Sequence, residues 1–246
     1  MGDVAIVTGG ANGIGRSVCL RFAAAGIALG IVDMDRDGAE GVKREVLARG
    51  GNAEVYSIDV TGAGQVKEVV QDFFRRHGRV DILANIAGGT VYLKPVEELT
   101  WTEWKKDLDM NIKGTFLFCR EVAPLMINQG RGRIVNTASN YGATGCALRT
   151  PYSSAKAAIV GFSKSLALEL APYGVLVNVI APGPTDTPRV LQKSTPEARK
   201  RWAEVIPFGR TAQPEEIAEG VYFLVSPESA YMTGQTLHVN GGLVMP

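Results

Sequence analysis

Short runs of aliphatic and β-branched residues alternate along the chain with longer stretches whose apolar positions recur every three to four residues. The runs predict strands over residues 4–7, 28–32, 53–58, 82–86, 133–138, 176–180 and 236–239. The stretches between them predict amphipathic helices over 14–25, 37–49, 64–77, 102–126, 152–171 and 214–224. Gly26 and Gly78 stand where the first and third helices should stop, because glycine tolerates the left-handed cap. Thr100 and Glu103 have the spacing of a capping box at the start of the fourth. Strands that are apolar at every position are buried on both faces, so strand–helix alternation predicts a single doubly wound α/β domain over 1–246. Its sheet is mainly parallel and seven-stranded. The loosest stretch, 183–210, is rich in Pro, Thr and charge and is expected to be a substrate lid with a short helix near 196–205.

Composition narrows the function class. Of 246 residues 46% are hydrophobic and 21% charged, enough apolar surface for a packed core. A net charge of +1 gives no electrostatic case for a nucleic acid or a membrane surface as partner. No apolar run nears the roughly 20 residues that cross a bilayer, and Met1-Gly2-Asp3 leads directly into the first strand, so a cytoplasmic protein is expected. Cys19, Cys119 and Cys146 lack C-x-x-C spacing and are expected to be buried free thiols. His77 and His238 lie far apart and no carboxylate cluster accompanies them, so no metal site is expected.

Chemistry enters at the first strand–helix junction, Thr8-Gly9-Gly10-Ala11-Asn12-Gly13-Ile14-Gly15. Glycines there let the chain turn sharply and let a pyrophosphate approach backbone N–H groups at the helix start. No G-K-[ST] follows, which disfavours an ATP-type loop. Asp33, 18 residues beyond Gly15 at the end of the second strand, is placed to accept hydrogen bonds from an adenosine ribose and to repel a 2′-phosphate. NAD is therefore expected over NADP, with Arg36 the one nearby residue that complicates the preference.

Together these residues resemble the short-chain dehydrogenase/reductase family across essentially the whole chain. The glycine pattern T-G-x-x-x-G-x-G falls on Thr8 to Gly15, and the adenine-contacting pair on Asp59 and Val60. N-N-A-G becomes Asn85-Ile86-Ala87-Gly88, with Ile86 the departure, and P-G-x-x-x-T falls on Pro182, Gly183 and Thr187. The helix asparagine matches Asn111, the serine Ser139, and Y-x-x-x-K Tyr152 and Lys156. The resemblance implies a Rossmann-type fold and an NAD cofactor held by Gly9, Asn12, Gly13, Ile14, Gly15, Asp33, Asp59, Val60, Asn85, Ala87, Gly88, Tyr152, Lys156, Pro182, Gly183, Thr185 and Thr187. It also implies that Lys156 bonds the nicotinamide ribose and that Asn111 helps hold a water relaying protons from Lys156 to solvent.

Tyr152 and Lys156 are four apart and share a helix face. A phenol near pKa 10 is a poor base at neutral pH, and a neighbouring ammonium plus oxidised nicotinamide should lower that value. Tyr152 then moves the alcohol proton while Ser139 donates to the substrate oxygen. Val91, Tyr92, Leu93, Tyr141, Leu148, Val190 and Leu191 are expected to line a largely apolar pocket. The leading expectation is an NAD-dependent dehydrogenase that reversibly converts a hydrophobic, aromatic or alicyclic secondary alcohol to its ketone. A 3-hydroxyacyl-CoA or 3-ketoacyl-thioester oxidoreductase is the alternative, kept open by Arg131, Arg133 and Arg149. A non-catalytic nucleotide-sensing module is the reading from another class, opposed by the presence of both Tyr152 and Lys156. The helices at 102–126 and 152–171 are expected to pair subunits of a homotetramer, less so a dimer, through Phe116, Phe118, Phe162 and Leu166.

Overall fold

The structure, a computed structural model, describes residues 2–246. The chain runs β1 (Val4–Thr8), α1 (Gly13–Ala24), β2 (Ala28–Asp33), α2 (Arg36–Ala48), β3 (Ala53–Ser57), α3 (Ala63–His77) and β4 (Ile82–Asn85). It continues through α4 (Trp101–Leu108), α5 (Gly114–Gln129), β5 (Gly132–Thr137), α6 (Asn140–Thr144), α7 (Thr150–Leu170) and β6 (Val175–Pro182). Then come α8 (Pro188–Lys193), α9 (Pro196–Val205), α10 (Pro214–Val225) and β7 (Thr236–Val239). All seven strands form one parallel sheet in the order β3-β2-β1-β4-β5-β6-β7. The strand order reverses between β1 and β4, and in such sheets ligands settle in the crevice beyond the strand ends at that point.

The period-two geometry of β1 divides the core between the sheet faces. Ala5 and Val7 pack with Val18, Phe22 and Val221 on one side; Val4 and Ile6 pack with Phe73, Phe118 and Leu166 on the other. Each fully buried phenylalanine contributes roughly 1.5–3 kcal/mol by leaving water. Phe118 and Leu166 therefore belong to the chain's own core, correcting their expectation as subunit-facing residues. Phe116 remains 43% exposed and meets Phe162 edge-on at 6.3 Å.

Local signals hold at the helix ends. Gly26 and Gly78 take φ of 76° and 70°, and the Thr100 hydroxyl accepts from the Glu103 N–H at 3.2 Å while the Glu103 carboxylate accepts from the Thr100 N–H at 3.0 Å. The helix expected over 102–126 is interrupted: a π-helical turn at Asp109–Lys113 separates α4 from α5. The 183–210 stretch holds two short helices, each started by a threonine hydroxyl, Thr187 to Val190 N–H and Thr195 to Ala198 N–H. Cys19 and Cys119 are buried, and burial pushes both thiols up, Cys119 to about 12. Cys146 is only half-buried, contrary to expectation. Among the described residues, no helix is long and apolar enough to cross a membrane.

Candidate active site

Backbone constraints build the side of the crevice that follows β1. Gly9 and Gly13 have φ of 69° and 51°, and a Cβ at Gly15 would lie 1.9 Å from the Gly9 carbonyl oxygen. No alanine fits there without moving the main chain. Exposed Asn12 makes no side-chain cap to α1, so the first turn presents N–H groups that no side chain satisfies. That is the cradle a pyrophosphate needs. The Asp33 carboxylate accepts from the Ala11 N–H at 3.0 Å and from the Asp35 N–H at 3.0 Å. Each oxygen keeps a lone pair for a ribose hydroxyl, so Asp33 serves as a turn anchor and can also serve as an acceptor. Arg36 begins α2 and is exposed. Asp59 accepts from the Thr61 N–H at 2.8 Å, and Val60 packs on Gly114, where a Cβ would lie 2.8 Å from its methyl.

Beyond β4 the chain is tied down from both sides. The Thr8 hydroxyl accepts from the N–H groups of Ile86 at 3.1 Å and Ala87 at 3.2 Å. The Asn111 carboxamide, on the π-helical turn, accepts from the Gly89 N–H at 2.9 Å and donates to the Gly89 carbonyl at 3.0 Å. A Cβ on Gly88 would meet Asn111 Oδ1 at 2.6 Å and Lys156 Nζ at 3.3 Å, so these three groups converge. Asn85 also has a structural role. Its side chain is buried and its amide donates to Asn136 at 2.8 Å inside the sheet core, so this group ties β4 to β5.

Ser139, two residues past β5, caps α6, and α7 carries Tyr152 and Lys156 past it. Lys156 is buried; its ammonium donates to the Thr137 carbonyl at 2.7 Å and lies 5.6 Å from the centre of the Tyr152 ring. Burial draws the Lys156 pKa down to about 7, with the Asp107 carboxylate opposing. The Tyr152 pKa is raised because burial disfavours phenolate; Ser139, Arg149 and Arg189 pull it back. Lys156 is turned toward Thr137, and the nearby positive field comes instead from the two arginines.

The chain matches a family model described as enoyl-(acyl carrier protein) reductase over residues 9–244. The chain belongs to the short-chain dehydrogenase/reductase family. A 3-oxoacyl-[acyl-carrier-protein] reductase of Thermotoga maritima is 37% identical, covering 99% of this chain and 98% of its own. A solved NAD+-bound xylitol dehydrogenase matches with TM-score 0.93 at 33% identity, covering 98% of both chains. An actinorhodin polyketide ketoreductase with NADPH matches with TM-score 0.93 at 35% identity, covering 98% of this chain and 97% of that one. Members of the family are oxidoreductases that use NAD(P).

Within this short-chain dehydrogenase/reductase, the segment after β6 crosses back over the glycine loop. The Thr187 side chain stands 3.0 Å from where a Gly13 Cβ would be, and Gly183 abuts Asn240, whose Cα lies 2.8 Å from a built Cβ. Pro182 and Thr185 are buried, the Thr185 hydroxyl donating to the Gly183 carbonyl at 3.0 Å. The residues expected to line an apolar pocket differ in burial. Val91, Tyr92, Tyr141 and Val190 are half-buried, whereas Leu93, Leu148 and Leu191 are 58%, 49% and 46% exposed. Leu148 has φ 63°, a left-handed conformation that is costly for a side chain of its size, and its carbonyl accepts from the Lys94 N–H at 3.1 Å.

Asp107 and Arg189 were missed as parts of this site, and Arg149 was weighed only for the thioester alternative. Asp107 is buried one helical turn before Asn111, accepts from the Val91 N–H at 3.4 Å, and has its pKa raised by burial. The Asn111 amide donates to the Asp107 carbonyl at 2.8 Å, so the two residues act as one brace. Arg189 donates to the Thr90 carbonyl at 2.6 Å, and Arg149 reaches the Thr90 hydroxyl at 3.5 Å. The four-residue spacing of Asp107 and Asn111 was a readable signal; no local signal marked the arginines.

Proposed function

We propose that this protein is an NAD-dependent dehydrogenase that reversibly oxidises a secondary alcohol with an aromatic or alicyclic body to its ketone. The observation that carries the reading is partly exposed Tyr152 above buried Lys156, with Ser139 beside it, at the strand ends that face the glycine loop. Tyr152 takes the hydroxyl proton during oxidation and returns it during reduction. Ser139 donates to the substrate oxygen as charge develops on it. Lys156 holds the nicotinamide ribose, Arg149 and Arg189 favour phenolate on Tyr152, and Asn111 positions the water through which Lys156 exchanges protons. Bound nicotinamide supplies the hydride acceptor or donor. Gly9, Asn12, Gly13, Ile14 and Gly15 hold the pyrophosphate; Asp33 holds the adenosine ribose; Asp59 and Val60 flank the adenine; Ala87, Gly88, Pro182, Gly183, Thr185 and Thr187 approach the nicotinamide end. Asp33 supports NAD because a second negative group beside a 2′-phosphate is unfavourable. Residues 183–210 act as the lid, and a homotetramer is expected to pair through the face carrying Phe116 and Phe162, which light scattering tests.

A 3-ketoacyl-thioester reductase is the second reading, favoured by the name of the Thermotoga maritima relative. Two of the basic residues that kept it open are engaged elsewhere: Arg131 pairs with Asp81 at 3.2 Å, and Arg133 donates to Ser229 at 3.1 Å. A panel of secondary alcohols and acyl thioesters, followed by NADH absorbance, separates the readings. Turnover confined to thioesters removes the first; no turnover of either class leaves a nucleotide-binding module.

A further inference from the structure

Four partly exposed arginines elsewhere in the fold each hold a carboxylate: Arg16 with Glu45 and Arg210 with Glu216, at 2.6 and 2.7 Å, and Arg79 and Arg131 with Asp81, at 2.5 and 3.2 Å. Arg149 and Arg189 are half-buried, yet among the described residues neither has a carboxylate within the 4.0 Å of an ion pair. They arrive from different elements, Arg149 from the start of α7 and Arg189 from α8, and meet at one residue. Arg189 donates to the Thr90 carbonyl at 2.6 Å, and Arg149 lies 3.5 Å from the Thr90 hydroxyl. The Arg149 guanidinium also lies 5.4 Å from the centre of the Tyr141 ring, which holds it on the cleft wall. Asp107 feels the Arg189 charge, but its carboxylate turns toward the Val91 N–H and the Asn111 amide.

Two partly desolvated cations with donors to spare form a site for an anion, and a guanidinium fork matches a carboxylate. We propose that Arg149 and Arg189 form a carboxylate clamp, so that the alcohol oxidised here carries a carboxylate on its aromatic or alicyclic body. This rests on the dehydrogenase reading and narrows its substrate to a hydroxy acid. A carrier-bound thioester does not fit as well, because its phosphate lies a full pantetheine arm from the reacting carbon. The clamp is close enough to Tyr152 for both guanidiniums to favour its phenolate. Substrate charge and proton transfer are thereby linked: a bound carboxylate screens that field.

The test uses benzoate and its neutral isostere benzamide as probes, titrated by NMR against the whole protein with saturating NAD. Benzoate is expected to bind at least about tenfold more tightly, as a charge-assisted hydrogen bond supplies. That preference should largely disappear in Arg149→Gln and in Arg189→Gln, with Arg149→Lys keeping part of it. Equal affinities in the unaltered protein overturn the clamp without requiring any variant to fold. A preference that survives both glutamine variants overturns it too. If benzoate binds only without NAD, the arginines serve the cofactor's phosphates and the proposal is wrong. If benzoate binds as expected but no hydroxy acid or neutral alcohol is turned over, the clamp stands and the dehydrogenase reading alone falls.

Discussion

On the β1 side of the cleft the shape is set by main chain, whereas on the far side it is set by the tips of long side chains. Gly9, Gly13 and Gly15 place backbone against backbone, and Asp33 fixes the loop with two N–H bonds of 3.0 Å. Across the cleft, Thr90 is held by Arg149 and Arg189 and the Val91 N–H by Asp107. A main-chain site offers every dinucleotide the same N–H groups, so its residues vary little in kind. A side-chain site is redrawn by single substitutions, and that is where substrate identity resides.

The largest expected effect falls where the two sides meet. Tyr152→Phe removes the proton carrier while keeping the ring, and should lower turnover about 10³-fold with NAD binding intact. Unchanged oxidation rates at saturating NAD would assign proton transfer to another group. On the main-chain side, Gly15→Ala puts a methyl 1.9 Å from a carbonyl oxygen. It should cost about 3 kcal/mol in stability and weaken NAD binding, as read by urea unfolding and fluorescence titration. A well-folded variant with native NAD affinity would show that the loop yields easily and that the contrast between the two sides is overstated.

Asp33→Ala probes one side chain on the main-chain side. Its loss frees the Ala11 and Asp35 N–H groups and removes the charge that opposes a 2′-phosphate. The ratio of kcat/KM for NAD over NADP should fall by about tenfold or more, the scale of one charge-assisted hydrogen bond. Asp33→Asn keeps the turn bonds and should lose only part of the ratio. Equal ratios in all three proteins would leave Asp33 as a turn anchor alone.

What was legible in the sequence follows the same division. Short apolar runs and period-3.6 patterns located every strand and the principal helices, because burial on both sheet faces leaves its mark on each strand residue. Steric demands wrote the glycine loop, and the Thr100–Glu103 cap was written by local hydrogen bonding. The π-helical turn at Asp109–Lys113 was not legible, since it arises from where Asn111 must brace Gly89 across 22 residues of chain. The strand-tying bond of Asn85 was not legible either, because it depends on Asn136, 51 residues away. Arg149 was read only as a basic residue that kept the thioester alternative open, and Arg189 carried no signal; only the fold brings them to one threonine.

Lys156 belongs to both sides, and its titration gives the smallest and finest test. Its folded pKa of about 7 lies below the ordinary 10.5, because burial outweighs the Asp107 carboxylate. Between those values the unfolded chain holds a proton that the folded chain releases, so stability from this group rises with pH across that window. Below about 7 both states are protonated and the full cost of burying the ammonium remains. Lys156→Met removes this cost at every pH. The melting temperature of the variant should therefore exceed that of the parent most at pH 6, with the gap shrinking steadily toward pH 10. Other titrating groups cancel in the difference, provided that Asp107 and Tyr152 keep their places. A gap constant from pH 6 to 10 would mean that Lys156 stays charged throughout. The ammonium would then be stabilised in its bond to Thr137, and its grip on the cleft would not depend on a cofactor's arrival.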